Sequence, residues 1–249
     1  QRYLDLHLYN NMGRAFEFRK ARKMKRWSNM SKTFTRIGRE IIIAVKESGP
    51  DPSSNSRLRA IIQNAKAANM PKDNIERAIK KASEKSSENF KEVLLEGYAP
   101  HGIAILVEAA TDNNNRTVAN IRSYFNKCDG SLATSGSVDF LFDHLCFFQI
   151  KDQGIDIEEL ELDLIDFGVI ELSKLENEIS ITARFEDFGS IQKELERRGL
   201  EISSSEFERE AKINKNLTED ERLKVERLIN MIDEDEDVQN VYYDMKTID

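Results

Sequence analysis

Seven cations fall within thirteen positions, at Arg14, Arg19, Lys20, Arg22, Lys23, Lys25 and Arg26, and three aromatic rings, Phe16, Phe18 and Trp27, lie among or beside them. The chemistry open to such a set is neutralisation of phosphate, with Lys acting as a point charge and Arg as a bidentate fork. A second set follows at Arg57, Arg59, Lys66, Lys72, Arg77, Lys80 and Lys81. From Met12 to Lys81 the chain holds 18 Lys and Arg against 6 Asp and Glu, a net of +12, whereas from Ala82 to Asp249 the count is 18 against 38, a net of −20. The formal charge of −8 therefore conceals a basic module on an acidic body. A basic module attracts polyanions, and an acidic remainder limits where they land. Neutralising ~5 phosphates would give a log–log salt slope of roughly −4 to −5 on duplex DNA. The cations of the later helices fit a solvated face as well. Phe16 and Phe18 read first as anchors of the basic arm, and Trp27 fits an anchor or a ring stacked on an unpaired base equally well.

Residues for catalysis are sparse. Histidine occurs only at His7, His101 and His144, and His101 reads as a turn residue. No G-x-S-x-G, Walker A, H-E-x-x-H or GxGxxG pattern is present. Glu108 and Asp112 are the one carboxylate pair placed, at a strand end, where a metal could sit, although Asp112 fits a turn or cap better. Asn113-Asn114-Asn115-Arg116 has the make-up of an anion-binding turn at a helix N-terminus, and capping explains it nearly as well. Asp233-Glu234-Asp235-Glu236-Asp237 reads as a solvated loop that would repel nucleic acid. Cys128 and Cys146, 18 positions apart, match neither a disulfide framework nor a zinc site and read as reduced buried thiols. The expectation is a protein that is not an enzyme, with no catalytic residue, cofactor or metal.

The elements that must position these residues follow from periodicity. Ser31 is a plausible cap for a helix to about Glu47, with Phe34, Ile37, Ile41 and Val45 in one stripe and Lys32, Arg36, Arg39 and Lys46 away from it. A helix over 54–69 buries Leu58, Ile61, Ile62, Ala65 and Ala68; Met70-Pro71 breaks the chain, and a helix over 72–85 turns Ile75, Ala78, Ile79 and Ala82 inward. The break could mimic a helix-turn-helix, without the usual Gly. Strands are expected at 93–98, 103–110, 139–142, 145–150, 168–173, 178–184, 200–207 and 238–245. Helices are expected at 115–127, 156–167 and 187–198, and after Thr218, where Glu221 completes a capping box. Gly130 to Gly136 reads as a loop. No run approaches the ~20 apolar residues of a membrane span, and no signal-peptide layout is visible, so the expected setting is cytoplasmic.

The fold class that results is α+β: an N-terminal helical bundle followed by two α/β sandwich domains with mainly antiparallel sheets, the last inserted in the middle one. The expected division is 1–11 as a leader or tag, 12–88 as the basic helical domain, 89–136 plus 208–249 as one α+β domain, and 137–207 as the insert.

Four blocks carry a resemblance. Asn69-Met70-Pro71-Lys72-Asp73-Asn74-Ile75-Glu76-Arg77-Ala78-Ile79-Lys80-Lys81, Glu96-Gly97-Tyr98-Ala99-Pro100-His101-Gly102, Thr111-Asp112-Asn113-Asn114-Asn115-Arg116-Thr117 and Gly136-Ser137-Val138-Asp139-Phe140-Leu141-Phe142 occur in order. Together they resemble the YebC/PmpR-type proteins from Met12 to the C-terminus. The resemblance implies three domains and a cytoplasmic, DNA-binding transcriptional regulator; mitochondrial relatives are described as translational activators, which makes a ribosome- or ribosomal-RNA-associated translation factor the alternative. The family's usual His-Ser-Lys-Trp opening is replaced here by Arg14-Ala15-Phe16-Glu17-Phe18-Arg19-Lys20. The expected partner is DNA (alternatively ribosomal RNA or the ribosome), with other proteins meeting the acidic domains. The expected contact residues are Arg19, Lys20, Arg22, Lys23, Lys25, Arg26, Trp27, Arg57, Arg59, Lys66, Lys72, Arg77, Lys80 and Lys81.

Overall fold

The computed structural model describes residues 30–84, 89–175 and 177–246. Among the described residues three helices come first: α1 (Met30–Ser48), α2 (Ser56–Ala67) and α3 (Lys72–Ser83). Their apolar stripes meet in one core built from Ile37, Ile41, Val45, Leu58, Ile61, Ala65 and Ile75. Ser31 lies inside α1, which already begins at Met30. The cap of α2 is Asn55, one position beyond the expected start. Its side chain accepts from the Leu58 N–H at 2.9 Å and donates to the carbonyls of Ala44 at 2.8 Å and Gly49 at 2.9 Å. One buried amide thus satisfies the start of α2 and ties it to the end of α1. The turn before α3 passes through Asn69 at φ 56°, a conformation that Asn tolerates, and Pro71 opens the next helix.

Two antiparallel sheets follow. β1 (Lys91–Tyr98), β2 (Ala104–Thr111), β3 (Ser131–Leu132) and the last strand β8 (Val238–Tyr243) form the first, in the order β3-β1-β2-β8. The helices α4 (Asn114–Lys127) and α7 (Glu219–Asp233) belong to it, and Ile121, Phe125, Val225, Leu228 and Ile232 pack on Ile103, Ile105 and Val107. Ala104 and Leu106, on the other side of β2, join Val138, Phe142 and Tyr242 in a second cluster. β2 is buried on both faces, which explains why Ala104 to Val107 reads as an unbroken apolar run. Gly97 permits this packing: a Cβ there would lie 2.7 Å from the Phe125 ring and from the Ser131 carbonyl. The capping box of α7, Thr218 with Glu221, is formed.

The second sheet, in the order β5-β6-β4-β7, holds β4 (Phe142–Lys151), β5 (Val169–Leu175), β6 (Glu178–Arg184) and β7 (Ile202–Ala211), with α5 (Ile157–Leu164) and α6 (Phe188–Arg197) over a core of Phe148, Ile150, Ile179, Ile181, Leu160 and Leu195. Three details differ from expectation. Residues 139–141 form a 3-10 turn, and β4 runs unbroken through Asp143 and His144, because β7 extends to Ala211 and pairs with both residues. Residues 165–167 are a 3-10 turn after a shorter helix. Ser131–Leu132, expected within a loop, pairs with Tyr98 and Gly97.

Candidate nucleic-acid interface

The cations of the helical bundle divide by what holds them. Two arginines of α1 that the charge count alone did not single out point into the body. Arg36 donates to the carbonyl of Asp233 at 2.8 Å, to its carboxylate at 3.1 Å and to the carbonyl of Val238 at 3.0 Å. Arg39 reaches the Ala110 carbonyl at 3.1 Å, the Glu236 carbonyl, and the Asp237 carboxylate at 3.1 Å, and its guanidinium lies 5.0 Å from the centroid of the Phe90 ring. Asp237 is 3% exposed and also accepts from Arg116 at 2.9 Å, Thr117 at 2.7 Å and Thr111 at 3.1 Å. Burial pushes its pKa up, but Arg116, Thr117 and Thr111 together outweigh burial and leave it below the usual aspartate value. The acidic run 233–237 is therefore the seat of α1, which corrects its reading as a merely solvated loop.

Arg57 and Arg59, expected to contact phosphate, are held by carboxylates. Arg57 bridges Glu47 at 2.9 Å and Glu92. Arg59 pairs with Glu196 at 3.0 Å and donates to the carbonyls of Pro52 and Ser53. Glu92 and Glu196 lie 35 and 137 positions away in sequence, so the charge count could not show those pairs. Near these groups a cavity of ≈ 810 Å³ opens between the bundle and both sheets; its wall carries Glu40, Glu92, Glu108, Glu186, Glu206 and Glu208 against Arg36, Arg57 and Arg209. That excess of carboxylates disfavours a polyphosphate.

The expected contact residues that remain at the surface are at the end of α2 and along α3, and Lys46, in the last turn of α1, is exposed as well. Lys66, Lys72, Arg77, Lys80 and Lys81 are all exposed. At 100° per residue Arg77 and Lys80 stand opposite the inward stripe of Ile75, Ala78, Ile79 and Ala82. Lys72 lies 3.4 Å from Glu76, and Arg77 donates to Asn74 and to the carbonyl of Asp73. Lys81 turns toward a different surface, a cleft of ≈ 830 Å³ whose wall includes Asp112, Asp235 and Glu236. Arg19, Lys20, Arg22, Lys23, Lys25, Arg26 and Trp27, with Phe16 and Phe18, lie outside the described residues, as do positions 1–11.

The other candidate groups are engaged in local structure. Glu108 accepts from Arg209 at 2.9 Å, Asn240 at 2.9 Å and Tyr242 at 3.2 Å, while Asp112 pairs with Arg116 at 2.9 Å. The two carboxylates have separate partners, and among the described residues no cluster of His, Cys, Asp and Glu could hold a metal ion. Asn113 caps α4 by accepting from the Arg116 N–H, so that helix start already has an acceptor. His101 turns the chain at φ 64° with Nδ1 3.4 Å from Glu221, and His144 stacks on Phe185 at 3.8 Å. Burial, then the charge of Arg209, pushes the His144 pKa down. Cys128 and Cys146 are buried free thiols, and burial, with Asp187 nearby, pushes Cys146 up to about 12. No helix among the described residues is long and apolar enough to cross a membrane.

Comparison with known proteins places the whole arrangement. Residues 14–85 match the TACO1/YebC protein N-terminal domain, and residues 90–245 match the TACO1/YebC second and third domain. A probable transcriptional regulatory protein of Flavobacterium johnsoniae is 68% identical over 235 residues, which cover 94% of this chain and 99% of that protein. One of the same description from Porphyromonas gingivalis is 58% identical over 236 residues, covering 94% and 98% of the two chains. The crystal structure of a conserved hypothetical protein from Aquifex aeolicus superposes with a TM-score of 0.71 at 37% identity, over 87% of this chain and 90% of that one. With both parts of the family's sequence pattern matched in order, this chain belongs to the TACO1/YebC family.

Proposed function

We propose that this chain is a non-enzymatic regulator that binds nucleic acid, acting on DNA in transcription, and that it grips phosphate through its N-terminal helices. One observation carries the reading: once Arg36, Arg39, Arg57 and Arg59 are taken up by the body, Lys66, Lys72, Arg77 and Lys80 remain exposed along the end of α2 and α3. Arg19, Lys20, Arg22, Lys23, Lys25 and Arg26 would add further phosphate contacts. The names of the relatives, probable transcriptional regulatory proteins, support DNA as the target. Lysines and arginines that meet phosphate fix position and register without reading bases, and the one amide on α3, Asn74, is engaged by Arg77. Weak sequence preference follows. The same grip suits an RNA helix, which makes the ribosome the competing target.

The test is anisotropy of labelled duplex DNA with the full chain over ~50–200 mM salt, beside co-sedimentation with ribosomes at ~150 mM. Each phosphate contact adds about −0.9 to the log–log slope, so Lys72→Ala, Arg77→Ala and Lys80→Ala together should flatten it by about 2–3 and weaken all duplexes alike. An unchanged slope removes α3 from the interface. Ribosome binding that persists while duplex binding collapses replaces DNA with RNA.

A further inference from the structure

We propose that the outward face of α5 and the turn after it is a docking surface for a basic segment of a partner polypeptide bearing leucine-like side chains. Two large apolar side chains stand in solvent here: Leu162 is 72% exposed and Ile165 59%. The core does not need them, because Leu160, Leu164 and Val169 of the same segment already fill it. Leu162 and Ile165 are three positions apart and therefore neighbours on the helical surface. Isolated exposed leucines are ordinary, whereas two neighbours projecting from one helix face inside a charged rim are suited to a contact surface.

The surrounding charge says what that contact is. Between residues 152 and 173 there are eight carboxylates, Asp152, Asp156, Glu158, Glu159, Glu161, Asp163, Asp166 and Glu171, and no Lys or Arg. Lys174 holds Asp152, and Arg198 holds Asp163 at 2.6 Å. Glu158, Glu159 and Asp166 are exposed, and their spacing puts them three or four positions from Leu162. A nucleic acid or an anionic lipid surface is repelled by this rim. A polypeptide with lysines around apolar anchors satisfies both features at once, the rim steering it and the apolar side chains holding it.

The probe is a labelled amphipathic octapeptide, Lys-Leu-Leu-Lys-Lys-Leu-Leu-Lys, titrated with the full chain at ~150 mM salt, beside octalysine and the same peptide with Glu for Lys. The proposal expects saturable binding of the first peptide, at least tenfold weaker binding of the other two, and a loss of tenfold or more in the double variant Leu162→Ser, Ile165→Ser. These side chains are exposed, so the variant should keep the parent's circular dichroism and melting temperature. Ile213→Ser, at an exposed apolar residue elsewhere, should leave affinity unchanged. No saturable binding overturns the proposal. So does equal affinity for octalysine, or undiminished affinity in the double variant.

Discussion

A carboxylate almost without solvent fixes the loop before β4. Glu96 is 2% exposed and accepts the N–H groups of Gly136 at 2.6 Å, Val138 at 2.6 Å and Asp139 at 2.9 Å. Burial works to raise its pKa, but the N–H donors of Val138, Gly136, Asp139 and Ser137 outweigh burial and lower it from 4.5. A folded-state value below the unfolded one contributes stability that is complete above the unfolded pKa and disappears as pH falls through the folded one. Glu96→Ala should therefore destabilise by about 2–4 kcal/mol near neutral pH, since several buried donors lose their acceptor. The gap between parent and variant should narrow on acidification below about 4.5. Thermal unfolding across pH checks this, and a gap that does not change with pH would mean that the charge is not what holds the loop. In the sequence Glu96 is only a charged residue that follows the apolar run Val93-Leu94-Leu95, and its acceptor role depends on donors 40 or more positions away.

The next scale is the short loop between α7 and β8, where one element seats another. Asp237 gathers Arg39, Arg116, Thr111 and Thr117, while Asp233 holds Arg36 one turn back along α1. Removing one member of a buried ion pair leaves the other uncompensated and costs about 3–5 kcal/mol. Asp237→Ala should fall in that range by denaturant unfolding. In a double-mutant cycle with Arg39→Ala the two losses should sum to clearly more than the double variant loses, whereas strict additivity would show that the two groups do not stabilise each other. Helices and their inward faces were legible, because Leu58, Ile61, Ala65 and Ile75 repeat at the helical period, and Thr218 with Glu221 announces the start of α7. The role of 233–237 was not legible. Five consecutive acids look the same whether they face water or arginines nearly 200 positions earlier. Likewise β7 runs past the expected end at 207, because Glu208, Arg209 and Glu210 pair with Leu145, His144 and Asp143 of β4, a partner the local pattern does not contain.

At the scale of the molecule, the helical bundle is fastened to both sheets. The α1 arginines hold it to the first sheet. To the second it is held by Arg59 with Glu196 and by Asn64, whose amide donates to the Ser205 carbonyl at 2.5 Å and accepts from the Ser205 N–H at 3.2 Å. Arg209 joins the sheets directly through Glu108 at 2.9 Å and Asp139 at 2.7 Å. The charge count located a basic module, yet much of its arginine serves as internal bracing, a division that depends on distances the sequence does not contain. Asn64 satisfies both outward backbone groups of Ser205, on an edge strand that would otherwise present them to water. The Arg59–Glu196 pair is partly exposed and contributes at most about 1 kcal/mol, so Glu196→Ala, which leaves Arg59 on the Pro52 and Ser53 carbonyls, should change little. Asn64→Ala should speed hydrogen exchange at the Ser205 amide about tenfold, the equivalent of one lost hydrogen bond. Ile105, Leu106 and Val107, on the central strand of the other sheet, should exchange as before. Acceleration confined to Ser205 and α2 would show that the bundle can unlatch from the second sheet while α1 stays seated on the first. Equal acceleration in β2 would show instead that bundle and sheets open as a single unit, with Asn64 one brace among many.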